Sequence, residues 1–141
     1  MSQENVELAR RLYEEAAADF LHATGDQIDD AFREFLHDQF EFRLPPDYPE
    51  GELAFRGRDG IRQLIAMLTE TWGEWQFESG QFVDAGDKVV VFGRIVGKGR
   101  GSSAPFEIEI THVATIHSGR IESTQAYRDR SQALEAAGLP E

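Results

Sequence analysis

The sequence predicts an α+β fold: three N-terminal helices packed in the concave face of a curved, mixed but mainly antiparallel sheet (a cone-shaped α+β barrel), with a short helix at the C-terminal end. Three observations predict it. Apolar residues recur at spacings of three and four through the first two-fifths of the chain, interrupted by one short alternating stretch. From Trp75 to Tyr127 the pattern changes to alternation and β-branched runs punctuated by glycine-containing turns. Helices grouped at one end of a sequence pack on one face of the sheet, and short turns between successive strands pair them antiparallel.

Val6, Ala9, Tyr13, Ala16, Ala17 and Phe20 form one apolar stripe on a helix over roughly 3–22, with Ser2 as its N-cap. Thr24-Gly25-Asp26 ends that helix and starts a second, which carries Ile28, Phe32, Phe35 and Leu36. Phe40 and Phe42 flank Glu41 in a short strand. The segment 44–51 holds three of the five prolines and reads as a long loop. Long ordered loops often cover sites; a plain surface connection is the alternative, and both stay open. Residues 55–61 lead into a third helix with Ile61, Leu64, Ile65, Leu68 and Trp72 on its apolar face, stopped by Gly73.

The strands follow. Trp75 and Phe77 alternate with Gln76 and Glu78, and Ala85-Gly86-Asp87 makes a turn. Val89 to Val96 is a β-branched run, and 97–103 is a hairpin tip. Phe106, Ile108 and Ile110 alternate with Glu107, Glu109 and Thr111. Ser118-Gly119 is a two-residue hairpin turn before a last strand from Ile121 to Tyr127. Residues 129–137 form a final helix ended by Gly138 and Pro140. No repeat or composition shift divides the chain, so one domain over 1–141 is expected.

Composition narrows the function. The net charge is −12, from 26 acids against 14 bases, which disfavours nucleic acid and anionic membranes. No stretch approaches the ~20 apolar residues of a membrane span, and no signal peptide is read at the N-terminus, so a cytoplasmic protein is expected. There is no cysteine, which excludes thiol redox chemistry and thiolate metal sites. His22, His37 and His117 have no ligand spacing, so no metal is expected. Gly97-Lys98-Gly99-Arg100-Gly101 joins two strands and opens no helix, so it is no phosphate loop. No cofactor is implied.

Strand periodicity assigns the faces. In 106–116 the even residues, Phe106, Ile108, Ile110, His112, Ala114 and Ile116, face the core. A regular hairpin closed at Ser118-Gly119 pairs Ile116 with Ile121, Ala114 with Ser123, His112 with Gln125 and Ile110 with Tyr127. Ser123, Gln125 and Tyr127 should then share the concave face with His112. Val89, Val91, Gly93 and Ile95 are assigned inward, with Gly93 leaving space for a ligand. Val90, Phe92, Arg94 and Val96 face out beside Glu107, Glu109 and Val113, a half-apolar surface suited to a homodimer.

Several local motifs together resemble a known family. They are Asn5-Val6-Glu7 with Arg11-Leu12-Tyr13-Glu14, Phe55-Arg56-Gly57-Arg58-Asp59-Gly60-Ile61, and Asp84-Ala85-Gly86-Asp87-Lys88-Val89-Val90-Val91. His112-Val113-Ala114-Thr115-Ile116, Gly119-Arg120-Ile121 and Tyr127-Arg128-Asp129-Arg130 complete the set. In this order the chain resembles the SnoaL-like branch of the nuclear-transport-factor-2-like superfamily, which includes polyketide cyclases, ketosteroid isomerases and epoxide hydrolases. The resemblance implies the fold, an apolar pocket and dimerisation through the outer sheet face. It places His112 where the isomerases carry the acid that hydrogen-bonds an enolate oxygen, and Tyr13 near their oxyanion-stabilising tyrosine. Where they carry a proton-shuttling aspartate this chain has Arg43 or Leu44, neither a carboxylate. Asp47, Glu50 or Glu52 could replace it only if the proline-rich loop folds over the mouth. The inward Asp-Arg-Asp set of epoxide hydrolases is absent.

His112 is thus the first catalytic candidate, because imidazole exchanges protons near neutrality, and Tyr13 is the second. Gln125, Tyr127, Ser123, Ile110, Ala114, Val91, Gly93, Trp72 and Phe42 are the expected substrate contacts, although Trp72, Trp75 and Phe77 read as core before they read as substrate-stacking residues. The leading expectation is a pocket for a small apolar carbonyl compound, with cofactor-free acid–base isomerisation, cyclisation or dehydration. The alternatives are a non-catalytic binder and a dimeric interaction module with a filled pocket.

Overall fold

The computed structural model describes residues 2–16, 23–46, 53–98 and 104–140. Helix α1 spans Ser2–Arg11 and passes into a π-helical turn at Leu12–Ala16. Helix α2 is Gly25–Glu34, β1 Leu36–Arg43, β2 Ala54–Arg56 and α3 Gly57–Trp72. Strands β3 (Glu74–Ala85), β4 (Lys88–Lys98), β5 (Pro105–His117) and β6 (Arg120–Tyr127) precede α4 (Arg130–Ala136). The six strands form one sheet in the order β2-β1-β6-β5-β4-β3. Among the described residues, only β1 and β6 run parallel; every other pair is antiparallel. The mixed α+β architecture is the expected one. The proline-rich segment 47–52, the hairpin tip 99–103 and the expected end of the first helix, 17–22, lie outside the described residues.

Local chemistry explains the boundaries. Thr24 caps α2: its hydroxyl accepts from Gln27 N while the Gln27 side chain accepts from Thr24 N, a reciprocal arrangement contributing about 1 kcal/mol. The other end of α2 is closed by Arg120, whose guanidinium donates to the Phe32 and Arg33 carbonyls. Phe32 and Ile28 on the inner face of α2 are buried, each contributing about 2 kcal/mol of hydrophobic stabilisation. β1 is longer than the Phe40–Phe42 stretch suggests, and Ala54–Arg56 pairs with its edge as β2, a strand too short to show alternation. Asp129 caps α4 by accepting from Ser131 N.

The β5–β6 hairpin departs from a regular ladder. His117 pairs with Arg120 and Ile116 with Ile121, but Thr115 pairs with Ser123, so Glu122 is an extra residue. Beyond this bulge Ala114 lies opposite Thr124, Val113 opposite Gln125, His112 opposite Ala126 and Thr111 opposite Tyr127. A one-residue shift exchanges the two faces of a strand. Thr124 and Ala126, not Ser123, Gln125 and Tyr127, therefore share the concave face with His112.

The main core lies between the concave sheet face and α1–α3, with Phe32, Phe40, Leu64, Val89, Val91, Ala114 and Ile121 at its centre. A second cluster lies on the other face, where Ala133 and Leu134 of α4 cover Val90 and Val113. Arg130 of α4 also places its guanidinium 4.1 Å from the centre of the Phe92 ring. The chain's own helix thus covers part of the apolar surface expected to support a dimer. Farther along that face Arg94 bonds Glu78 and Glu107.

Candidate functional site

Between the helices and the sheet lies a cavity of about 130 Å³. Its walls are almost wholly apolar: Leu12, Ile28, Phe32, Phe40, Phe42, Ile61, Leu64, Leu68, Trp75, Phe77 and Ile95 contribute most of them. Among the described residues, four polar side chains line it, those of Tyr13, Gln27, His112 and Thr124. Gln27 is engaged in the cap of α2. Trp75 turns its indole N–H away, donating to Thr69 Oγ1 at 3.2 Å. Among the described residues, no lining side chain is charged at neutral pH.

His112 is buried and held from several directions. The Tyr13 hydroxyl lies 2.6 Å from its Nδ1. Phe77 stacks on the imidazole with ring centres 4.6 Å apart and planes 7° from parallel, while Phe42 meets it edge-on at 5.2 Å. Burial lowers the imidazole pKa to about 3 and pushes the Tyr13 phenol above its ordinary value, because each charged form would lose its water. Both groups are therefore neutral at physiological pH. Either group can supply the shared proton; the phenol is the more acidic and the imidazole nitrogen the more basic, which favours Tyr13 donating to Nδ1 and the imidazole proton residing on Nε2. Nε2 has no protein partner among the described residues. The site places a neutral, Tyr13-bonded imidazole in the wall of an apolar chamber.

The local fold explains each placement. Tyr13 comes from the π-helical turn that follows α1, a departure from regular helix frequent at functional sites. Phe77 takes its position because Gly93 lies beneath it: a Cβ on Gly93 would come within 2.4 Å of Phe77 Cζ and 2.7 Å of Glu78 O. The space left by Gly93 is thus filled by Phe77 and is not open to a ligand.

Of the expected site residues, Tyr13, His112 and Phe42 converge on the cavity. Val91, Ile110 and Ala114 face inward as expected but are packed in the core. Trp72 lies behind Trp75, its ring 5.9 Å away, so Trp75 rather than Trp72 forms the wall. The bulge turns Ser123, Gln125 and Tyr127 away: Gln125 donates to Leu44 O at 2.9 Å, and Tyr127 packs with the Val90–Val113 cluster. Thr124 was hidden from sequence reasoning because only the bulge brings it inward. Glu41 points away from the cavity, as alternation predicts, and takes hydrogen bonds from Arg43 and Arg56.

Comparison with known proteins agrees with this architecture. The SnoaL-like domain family model matches residues 10–124. An NTF2-like protein from Burkholderia thailandensis is similar with a TM-score of 0.68 and 24% identity, over 96% of this chain and 97% of that one. TerC, co-crystallised with polyporic acid, is similar with a TM-score of 0.68 and 20% identity, over 96% of this chain and 98% of that one. A protein with a ketosteroid isomerase-like fold from Catenulispora acidiphila, in complex with trimethylamine, is similar with a TM-score of 0.63 and 20% identity, over 95% and 94%. No curated protein matches at the sequence level. At these identities the structural likenesses establish the fold, and one fold of this kind serves many activities.

Proposed function

This chain belongs to the SnoaL-like domain family, and from that premise we propose that it is a pocket protein for a small, neutral, largely apolar molecule bearing a carbonyl or hydroxyl oxygen. The observation that carries the reading is the 2.6 Å Tyr13–His112 bond inside an apolar cavity. With Tyr13 as the donor of that bond, the imidazole offers an Nε2–H from which a ligand oxygen would accept. No described lining side chain is charged, which disfavours ionic ligands, since an unpaired charge transferred there would lose its hydration. That similar proteins were solved with polyporic acid and with trimethylamine supports a ligand-binding use of the fold.

Size sets the scale. A dry apolar cavity of about 150 Å³ accepts benzene, so the chamber of about 130 Å³ suits a molecule of about one ring. The test is binding of cyclohexanone and cyclohexane, followed by NMR, to the wild type and to His112→Leu. The wild type should prefer the ketone by about tenfold, the worth of a good hydrogen bond in an apolar setting, and the variant should not. Equal preference in both proteins would overturn the assignment of His112 as donor.

Binding is favoured over acid–base catalysis by one feature: no carboxylate lines the cavity among the described residues, so polarisation of a carbonyl lacks a partner to take a proton. Exchange of the α-hydrogens of cyclohexanone in deuterium oxide should run no faster with wild type than with His112→Leu. Faster exchange would instead make the protein an enolising enzyme.

A further inference from the structure

We propose that Thr124 is a second, specificity-determining anchor in this cavity, and that the preferred ligand is a one-ring neutral molecule with two oxygen functions on non-adjacent carbons, as in resorcinol. The inference rests on the pocket reading above and deepens it. Thr124 is 3% exposed and lines the cavity, and its hydroxyl has no hydrogen-bond partner among the described residues. No fully buried side-chain oxygen among those residues goes unpaired, so this hydroxyl keeps accessible surface. A hydroxyl that borders a void is left for whatever occupies the void.

Its position relative to His112 sets the ligand geometry. Thr124 lies opposite Ala114 on β5, two residues from His112 along the same inward row, and opposite Phe42 on β1. Such diagonal neighbours have side chains starting about 7–8 Å apart. With both reaching toward one chamber, they suit two oxygens on non-adjacent carbons of a ring. The chemistries differ: His112 Nε2–H only donates, whereas the Thr124 hydroxyl donates or accepts. The first ligand oxygen is therefore an acceptor, and the second is a hydroxyl or a carbonyl.

The experiment compares benzene, phenol and resorcinol, titrated by calorimetry or NMR into the wild type, Thr124→Val and Thr124→Ser. Valine keeps the shape of threonine and removes only a hydroxyl with no protein partner, so this variant should fold with a melting temperature equal to or above the wild type's. In the wild type resorcinol should bind about five- to tenfold more tightly than phenol. In Thr124→Val the order should invert, because the second hydroxyl would be buried without a partner, while phenol affinity stays within about twofold. Thr124→Ser should restore the preference for resorcinol. A wild type that binds both equally, or a preference that survives Thr124→Val, would overturn the role of Thr124. Failure of phenol to bind more tightly than benzene in the wild type is a different result: it would remove the His112 donor on which the proposal rests.

Discussion

Tyr13 and His112, 99 positions apart in sequence, meet through a hydroxyl-to-Nδ1 distance of 2.6 Å, joining the π-helical turn after α1 to the centre of β5. Replacing Tyr13 by Phe keeps the ring contacts with Phe77 and Phe82 and removes only the bond. The freed Nδ1 is then buried without a partner, which should cost about 1–3 kcal/mol in urea denaturation. The imidazole should also lose its fixed tautomer. Long-range ¹⁵N–¹H spectra should show Nε2–H alone in the wild type and a mixture in Tyr13→Phe. A single Nε2–H form in the variant would mean that something other than Tyr13 sets the tautomer.

Acid should weaken the protein through His112. Its native pKa of about 3 lies below the value of about 6.5 expected in the unfolded chain. Between those values the unfolded state binds a proton that the native state refuses, so stability rises with pH across the window and is lost as pH falls below about 6.5. At about 1.4 kcal/mol per pH unit, the step from pH 7 to 5 should remove about 2 kcal/mol. His112→Gln should remove this slope, as measured by urea midpoints at several pH values.

The Gly93–Phe77 contact should behave as one unit. In Gly93→Ala the new methyl meets Phe77 at 2.4 Å, and overpacking of this kind costs about 1–3 kcal/mol. Trimming the ring by Phe77→Leu should relieve part of that loss, so the double variant should be more stable than the sum of the singles by about 1 kcal/mol. Additive losses would place the strain at the Glu78 carbonyl alone.

On the other face, Glu41 is buried to 9% exposure and accepts from Arg56 at 2.6 Å as well as from Arg43. Those hydrogen bonds, Arg56 first, hold its carboxyl pKa below the usual range. A depressed carboxylate contributes stability above its unfolded pKa of about 4.3 and loses it as pH falls through the native value. Glu41→Gln should therefore cost about 1 kcal/mol at pH 7, with the cost shrinking below about pH 4 and in high salt.

Much of the fold and part of the site were legible in the chain itself. The spacing of Ile61, Leu64, Leu68 and Trp72 ended by Gly73 marks α3 as it stands, and Ser118-Gly119 marks its hairpin, with both residues at positive φ. Alternation placed His112 inward among Ile110 and Ala114, and the apolar stripe placed Tyr13 on the core side of the first helix. These follow from local periodicity, which the sequence carries directly.

The site's detailed composition was decided by tertiary structure. Glu122 carries no mark of a bulge, because an extra residue in a strand is defined by what the neighbouring strands pair with: here Ile116 and Thr115 on one side and β1 on the other. That single shift moved Thr124 into the cavity and Ser123, Gln125 and Tyr127 out of it. The partnership of Tyr13 with His112, and the filling of the Gly93 gap by Phe77, likewise depend on side chains meeting across elements distant in sequence or on neighbouring strands. The sequence determined which faces are apolar; only the packed sheet decided which polar groups those faces enclose.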